Sequence, residues 1–147
     1  MFKHILVPTD GSKFSQDTVR RAVTFAKEAG ARITAFYAKR QYGGSYYAGG
    51  DEVYLPPRWE GDKKTEIEDQ GILEFVENLC QEAGVNCSKL TLNSNVVYEA
   101  IIEAATRSGC DLIFMASHGR RGISALLLGS ETQKVLTHSK IPVLVYR

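Results

Sequence analysis

No apolar run in the 147 residues approaches the roughly 18 that a membrane-spanning helix needs, so no membrane partner is expected. Met1-Phe2-Lys3-His4 leads directly into a short strand without the profile of a signal peptide, and the expected location is the cytoplasm. Cysteine is scarce. Cys80, Cys87 and Cys110 are odd in number and form neither a C-x-x-C pair nor a metal-ligand spacing. All three read as small buried hydrophobes in a reducing compartment. Neither sign of charge is in excess: the formal net charge of +1 argues against a general polyanion binder, and no nucleic-acid partner is expected. Only Arg120-Arg121, with Lys134 and Arg147, hints at a local basic patch. Two phosphate-binding signatures are also missing. There is no G-x-x-x-x-G-K-[ST], which excludes a P-loop, and no G-x-G-x-x-G after the first strand, which excludes a standard dinucleotide fold.

What is present is the composition of a soluble globular protein, 44% hydrophobic and 24% charged. The length suits one domain over residues 1–147, enough to bury about two thirds of the unfolded surface. His4 to Thr9 is an apolar, β-branched run without periodicity, as expected of a strand covered on both faces. After Asp10-Gly11-Ser12, apolar residues at Val19, Ala22, Val23 and Ala26 step by three and four and predict a helix, capped by Ser12 or Ser15 and closed by Gly30. Arg32 to Ala38 is the second strand. The stretch from Lys39 to about Asp62, rich in Gly, Tyr and Pro, is expected to be irregular and long enough to cover something.

From Lys63 a helix presents Ile72, Val76, Leu79, Cys80 and Ala83 on one face and ends at Gly84. Asn86 to Leu92, Asp111 to Ala116 and Pro142 to Tyr146 are further strands. Between them lie a helix marked by Val97, Ala100, Ile101, Ala104 and Ala105, and another carrying Thr132, Val135 and Leu136. Helix, glycine, strand recurs three times, at Gly30, Gly84 and Gly109. This alternation predicts right-handed βαβ units: a doubly wound α/β domain with a five-stranded parallel sheet, order 3-2-1-4-5, and helices on both faces. A receiver domain shares that architecture but needs acidic residues at the ends of strands one and three, and here the third strand ends Leu92-Asn93-Ser94.

In such sheets ligands bind beyond the carboxyl ends of the strands, where the strand order reverses. The residues brought there are Thr9 to Gly11, Tyr37 to Arg40 and Ser117 to Ser130. Asp10 suits a ribose hydroxyl or a metal, or an Asx turn feeding the first helix. His118 suits a general base, but no partner for it is evident, and the bland alternative is a neutral imidazole bonded to the loop backbone. Arg120 and Arg121 suit a phosphate chain or a solvated loop tip. Gly119, Gly122 and Gly129 fit places where backbone approaches a ligand closely. Ser130 is either a helix N-cap or a phosphate donor.

Four segments resemble the universal stress protein family: Ile5-Leu6-Val7-Pro8-Thr9-Asp10-Gly11-Ser12, Asp111 to Arg120, Leu127-Leu128-Gly129-Ser130, and Ile141-Pro142-Val143-Leu144-Val145. The nucleotide-binding branch of that family looks like G-x-x-G, nine residues, then G-[ST]. Gly119, Arg120 to Leu128 and Gly129-Ser130 match it, whereas Ala116 stands at the first glycine. The resemblance implies an adenine nucleotide such as ATP, with magnesium or manganese accompanying the phosphates, and at most slow hydrolysis. It implies that Asp10 contacts the ribose, that the backbone around Ala38 faces adenine, and that Gly119, Gly129, Ser130 and the N–H of Glu131 cradle phosphates. Pro8, Thr9, Ser117, His118 and Arg120 complete the expected binding set. The methyl of Ala116 is expected to weaken binding rather than abolish it. The resemblance also implies a homodimer through the last strand, Val143, Leu144 and Val145. The alternative is a dimeric interaction module that binds no nucleotide.

Overall fold

The computed structural model describes residues 1–39, 44–48, 50–55, 59–119 and 127–147, with backbone alone for 44–48, 51–55 and 59–66. In chain order the elements are β1 (His4–Pro8), α1 (Lys13–Ala29), β2 (Arg32–Lys39), β3 (Gly44–Ala48), β4 (Asp51–Leu55), α2 (Trp59–Ala83), β5 (Cys87–Asn93), α3 (Val97–Ser108), β6 (Leu112–Ala116), α4 (Ser130–His138) and β7 (Val143–Tyr146). Five strands form one parallel sheet in the order β5-β2-β1-β6-β7, which is the expected doubly wound topology. Among the described residues no helix is long and apolar enough to cross a membrane.

Period-two alternation along the central strands divides the core into two layers. Ile5 and Val7 of β1, Ile33 and Ala35 of β2, and Leu112 and Phe114 of β6 pack with Val19, Ala22, Val23 and Ala26 of α1 and Leu73, Val76 and Cys80 of α2. Leu6, Phe36, Ile113 and Met115 point the other way, against Ala100, Ile101, Ala104 and Ala105 of α3 and Val135 of α4. Each large apolar side chain taken from water here contributes ~1.5–3 kcal/mol. That is why β1 and β6, covered on both faces, read as unbroken apolar runs.

The three helix-glycine-strand repeats share one physical device. Gly30, Gly84 and Gly109 take φ of 65, 75 and 68°, and the next residue returns its N–H to the helix: Ala31 to Ala26 O, Val85 to Cys80 O and Cys110 to Ala105 O, at 2.8–2.9 Å. This is the Schellman arrangement, which satisfies end carbonyls and aims the chain into the next strand. Of the two candidate caps for α1, Ser12 serves: its side chain accepts from Ser15 N at 3.2 Å.

Several expectations are corrected. The stretch expected to be irregular from Lys39 to about Asp62 contains β3 and β4, paired antiparallel as a two-stranded sheet with Gly50 between them at φ 88°. A Gly-Gly pair between β-prone runs is a hairpin signal, because tight hairpin turns need positive φ. The second helix begins at Trp59 rather than Lys63, and Leu73 rather than Ile72 joins its buried stripe. Cys80 and Cys110 are buried as expected, but Cys87 is only half-buried.

Candidate nucleotide crevice

From β1 the chain moves to β2 on one side, whereas β6 and β7 lie on the other, so the order reverses between β1 and β6. The loops leaving those two strands, Thr9–Ser12 and Ser117–Gly119, form the lips of a crevice. On one flank β2 runs beyond β1: Pro8 pairs with Phe36, and Ala38, two residues further on, pairs with Leu92 of β5. On the other flank is the N-terminus of α4.

The β1 lip is held by short polar contacts. Thr9 is buried, its N–H donating to Phe36 O at 2.9 Å and its hydroxyl 2.8 Å from that of Ser15. Asp10 Oδ1 accepts from Ser12 N–H at 2.9 Å, so Asp10 does make the Asx turn into α1, with Gly11 at φ 76° supplying the bend. The other carboxylate oxygen faces the opposite lip. A Cβ on Gly119 would stand 2.8 Å from Asp10 Oδ2, closer than Cβ atoms come to oxygen, so the carboxylate would have to shift.

The β6 lip is tied to α4 through backbone. Gly129 N–H donates to Ser117 O at 2.7 Å, and the Thr132 hydroxyl donates to Ala116 O at 2.9 Å and Ser117 O at 3.3 Å. A Cβ on Gly129 would lie 3.0 Å from Ser117 O and 3.4 Å from His118 Cα. Gly129 has φ −60°, a value open to any residue, so what favours glycine there is close approach and not conformation. It is also the N-cap of α4 and carries no side-chain acceptor, which makes Ser130 the first helical residue rather than the cap. The amides of that first turn have no intrahelical acceptor and sit at the positive end of the helix dipole.

His118 does have a serine partner, contrary to the sequence reading: its Nδ1 lies 2.9 Å from Ser117 Oγ. Ser117 is 1% exposed, which leaves its hydroxyl without the access a nucleophile needs. The imidazole packs edge-on against Phe14 of α1, ring centroids 6.0 Å apart, and its buried Nε2 has no hydrogen-bond partner among the described residues.

The structure therefore brings together Pro8, Thr9, Asp10, Ala116, Ser117, His118, Gly119, Gly129 and Ser130. Ala38 stands across β1, on the layer facing α3 and α4. The Glu131 carboxylate turns away from the crevice: Oε2 accepts from Tyr98 N–H at 2.9 Å and so supplies the cap that Val96 does not give α3. Arg120, Arg121, Gly122 and the aromatic side chains of Tyr42 to Trp59 lie outside the described residues. Sequence reasoning placed Thr132 only on the helix, yet its buried hydroxyl joins β6 to α4. A β-branched polar residue three positions after the cap glycine was the available signal. A cavity of about 260 Å³ touches the site at Thr9 and Gly11, between α1 and α2. A larger one of about 380 Å³, lined by Phe14, Arg20, Arg21, Tyr146 and Arg147, contains none of the expected binding residues.

A doubly wound α/β domain with a glycine-lined crevice at its switch point and an uncapped helix N-terminus beside it is the class defined by fold and site. The chain belongs to the universal stress protein family, whose family model matches residues 1–147. It is 31% identical to universal stress protein MJ0531 of Methanocaldococcus jannaschii, covering 100% of this chain and 83% of that protein. It is also 31% identical to universal stress protein YxiE of Bacillus subtilis, covering 100% of both. Among solved structures, a universal stress protein in complex with cAMP is similar at TM-score 0.72 and 23% identity, over 99% of this chain and 97% of that one. The Archaeoglobus fulgidus universal stress protein in complex with dAMP is similar at TM-score 0.67 and 17% identity, over 99% and 98%.

Proposed function

We propose that this protein is a cytoplasmic, homodimeric universal stress protein that binds ATP or a related adenine nucleotide in a stress-response or signalling role. The observation carrying this reading is the start of α4. Gly129 leaves the first-turn amides without a side-chain cap, opposite Asp10 and Gly119 at the switch point. The bound cAMP and dAMP of two structural neighbours support the adenine class. In this reading Asp10, Pro8 and Thr9 border the ribose, the Ala38 backbone meets the base, and Gly119, Arg120, Gly129, Ser130 and the Glu131 N–H receive phosphates. Ala116, Ser117 and His118 form the floor.

Magnesium or manganese fits as a companion of the phosphates. Such an ion would take its ligands chiefly from phosphate oxygens and water. No residue is assigned to catalysis, and turnover is expected to be slow at most. Dimerisation through β7 fits its place at the sheet edge, with Val143, Leu144, Val145 and Tyr146 all half-buried.

A second reading, an interaction module without nucleotide, draws on the same glycines. At Gly119 and Gly129 a Cβ would crowd atoms of the protein itself, so their presence does not by itself imply a ligand. For the same reason a bulky residue at Gly129 would disturb the fold as well as the site. Ser130→Asp separates the readings. Ser130 is exposed, and a carboxylate in the first turn favours the helix, so the fold is retained. The added charge beside a phosphate costs ~1–4 kcal/mol, about fivefold or more in affinity. Calorimetric titration with ATP and AMP should show binding to the natural protein and weaker binding to Ser130→Asp. No uptake of either nucleotide by the natural protein overturns the reading.

A further inference from the structure

The basic patch that Arg147 hints at in the sequence forms with different partners. Lys134 lies over the Tyr98 ring, 5.7 Å from its centroid, and 3.7 Å from the Glu131 carboxylate. Arg147 instead follows β7, where it lines the cavity of about 380 Å³ together with Arg20 and Arg21 of α1. The buried stripe of that helix runs through Ser15, Val19, Ala22 and Ala26, so Phe14, Asp17, Arg20 and Arg21 fall on its solvent side. They close the cavity against Tyr146.

Two of the three guanidinium groups are held by aromatic rings. Arg20 Cζ lies 5.2 Å from the ring centroid of Phe75 on α2, and Arg21 Cζ lies 5.6 Å from that of Tyr146. A guanidinium over a ring keeps its N–H edge free, and a fork already fixed in place loses less freedom when it meets an anion. Among the described residues none of the three guanidinium groups makes an ion pair. One side-chain carboxylate, Asp17, shares the cavity, which leaves positive charge in excess. Phe14, 43% exposed, adds an apolar wall beside these charges.

We propose that this cavity between α1 and the end of β7 is an anion site, separate from the crevice, that takes the phosphate or pyrophosphate group of a small organic phosphate. Guanidinium forks match phosphate oxygens two at a time, and a multiply charged group answers the excess of positive charge better than a single carboxylate does. The volume falls within the range of small-molecule sites, ~300–1,000 Å³, which selects a small ligand over an acidic peptide. The organic part of that ligand rests on the Phe14 ring. Phe14 also packs against His118, so the cavity backs onto the β6 lip while sharing none of the residues expected to bind there. The inference therefore does not depend on what the crevice binds.

The test titrates inorganic pyrophosphate into the natural protein and follows arginine Nε–H and backbone amide signals by nuclear magnetic resonance. Salt is kept to about 50 mM, because exposed charges are screened over ~10 Å at 0.1 M. The Arg20, Arg21 and Arg147 signals should move together and saturate with a dissociation constant of about 1 mM or below. Ser130→Asp should leave that curve unchanged, which separates this site from any binding at the start of α4. Arg20→Gln and Arg21→Gln should each weaken pyrophosphate roughly threefold, and about tenfold together. Asp17→Asn should tighten it by a similar factor of about three, a gain that damage to the fold would not produce. Circular dichroism checks the variants, and the titration of the natural protein decides alone if one fails to fold. The inference is overturned if the three arginine signals stay in place up to about 10 mM pyrophosphate. It is also overturned if neither Gln variant changes the affinity, or if a hexaglutamate peptide binds these arginines more tightly than pyrophosphate does.

Discussion

The two lips of the crevice come close at Gly119 and Asp10, and the consequence of that closeness is measurable. A methyl group on Gly119 would stand 2.8 Å from Asp10 Oδ2, so Gly119→Ala must push the carboxylate aside. Asp10 is held by the 2.9 Å bond from Ser12 N–H to Oδ1, and displacing it gives up that bond, at ~1 kcal/mol. Asp10→Ala gives up the same bond by deletion. The two substitutions therefore share a loss, and the double variant should be ~1 kcal/mol more stable than the sum of the single effects requires. In urea, with a slope of ~2 kcal/mol per molar, this coupling is a midpoint discrepancy of about 0.5 M. Effects that add to within ~0.3 kcal/mol would refute the contact as the reason position 119 is glycine. Gly129→Ala is the internal comparison: its new methyl meets the Ser117 carbonyl, which cannot swing away like a side chain, and Asp10→Ala should give it no relief.

Three further outcomes are expected. Thr132→Val keeps shape but removes the hydroxyl that binds Ala116 O and Ser117 O, costing ~1–2 kcal/mol and lowering the melting temperature by roughly 3–6 °C in calorimetry. Glu131→Ala strips the cap from α3, and hydrogen exchange at the Tyr98 amide should quicken as the helix end loses ~1 kcal/mol. His4 contributes to the loss of stability in mild acid. Burial, then the Arg32 charge, lowers its pKa against the pull of Asp111. The unfolded chain, at about 6.5, therefore takes up the proton first. Its contribution is whole above pH 6.5 and is lost as pH falls through the lower folded value. Urea midpoints should drop between about pH 7 and 5, and His4→Gln should flatten that part of the profile.

The alternation of apolar runs with 3.6-period stripes, punctuated by Gly30, Gly84 and Gly109, determined the doubly wound fold from the sequence alone. Those signals are local: a strand buried on both faces must be apolar throughout, and a left-handed helix end favours glycine. Topology then placed Thr9 to Gly11, Ser117 to Gly119 and Gly129-Ser130 at one edge without further information, because connections between parallel strands have a fixed hand. The hairpin of β3 and β4 was also legible, in Gly49-Gly50, but aromatic and glycine content suggested a loop instead. Only the tertiary structure decided what each site residue does with its atoms. That Asp10 accepts from Ser12 while its other oxygen leaves no room for a Cβ at Gly119, that Gly129 N–H meets the Ser117 carbonyl, and that Glu131 caps a different helix are contacts between segments distant in the chain or turned by it. Sequence patterns record which face a residue occupies; distances of 3 Å between such faces are set by how the layers pack.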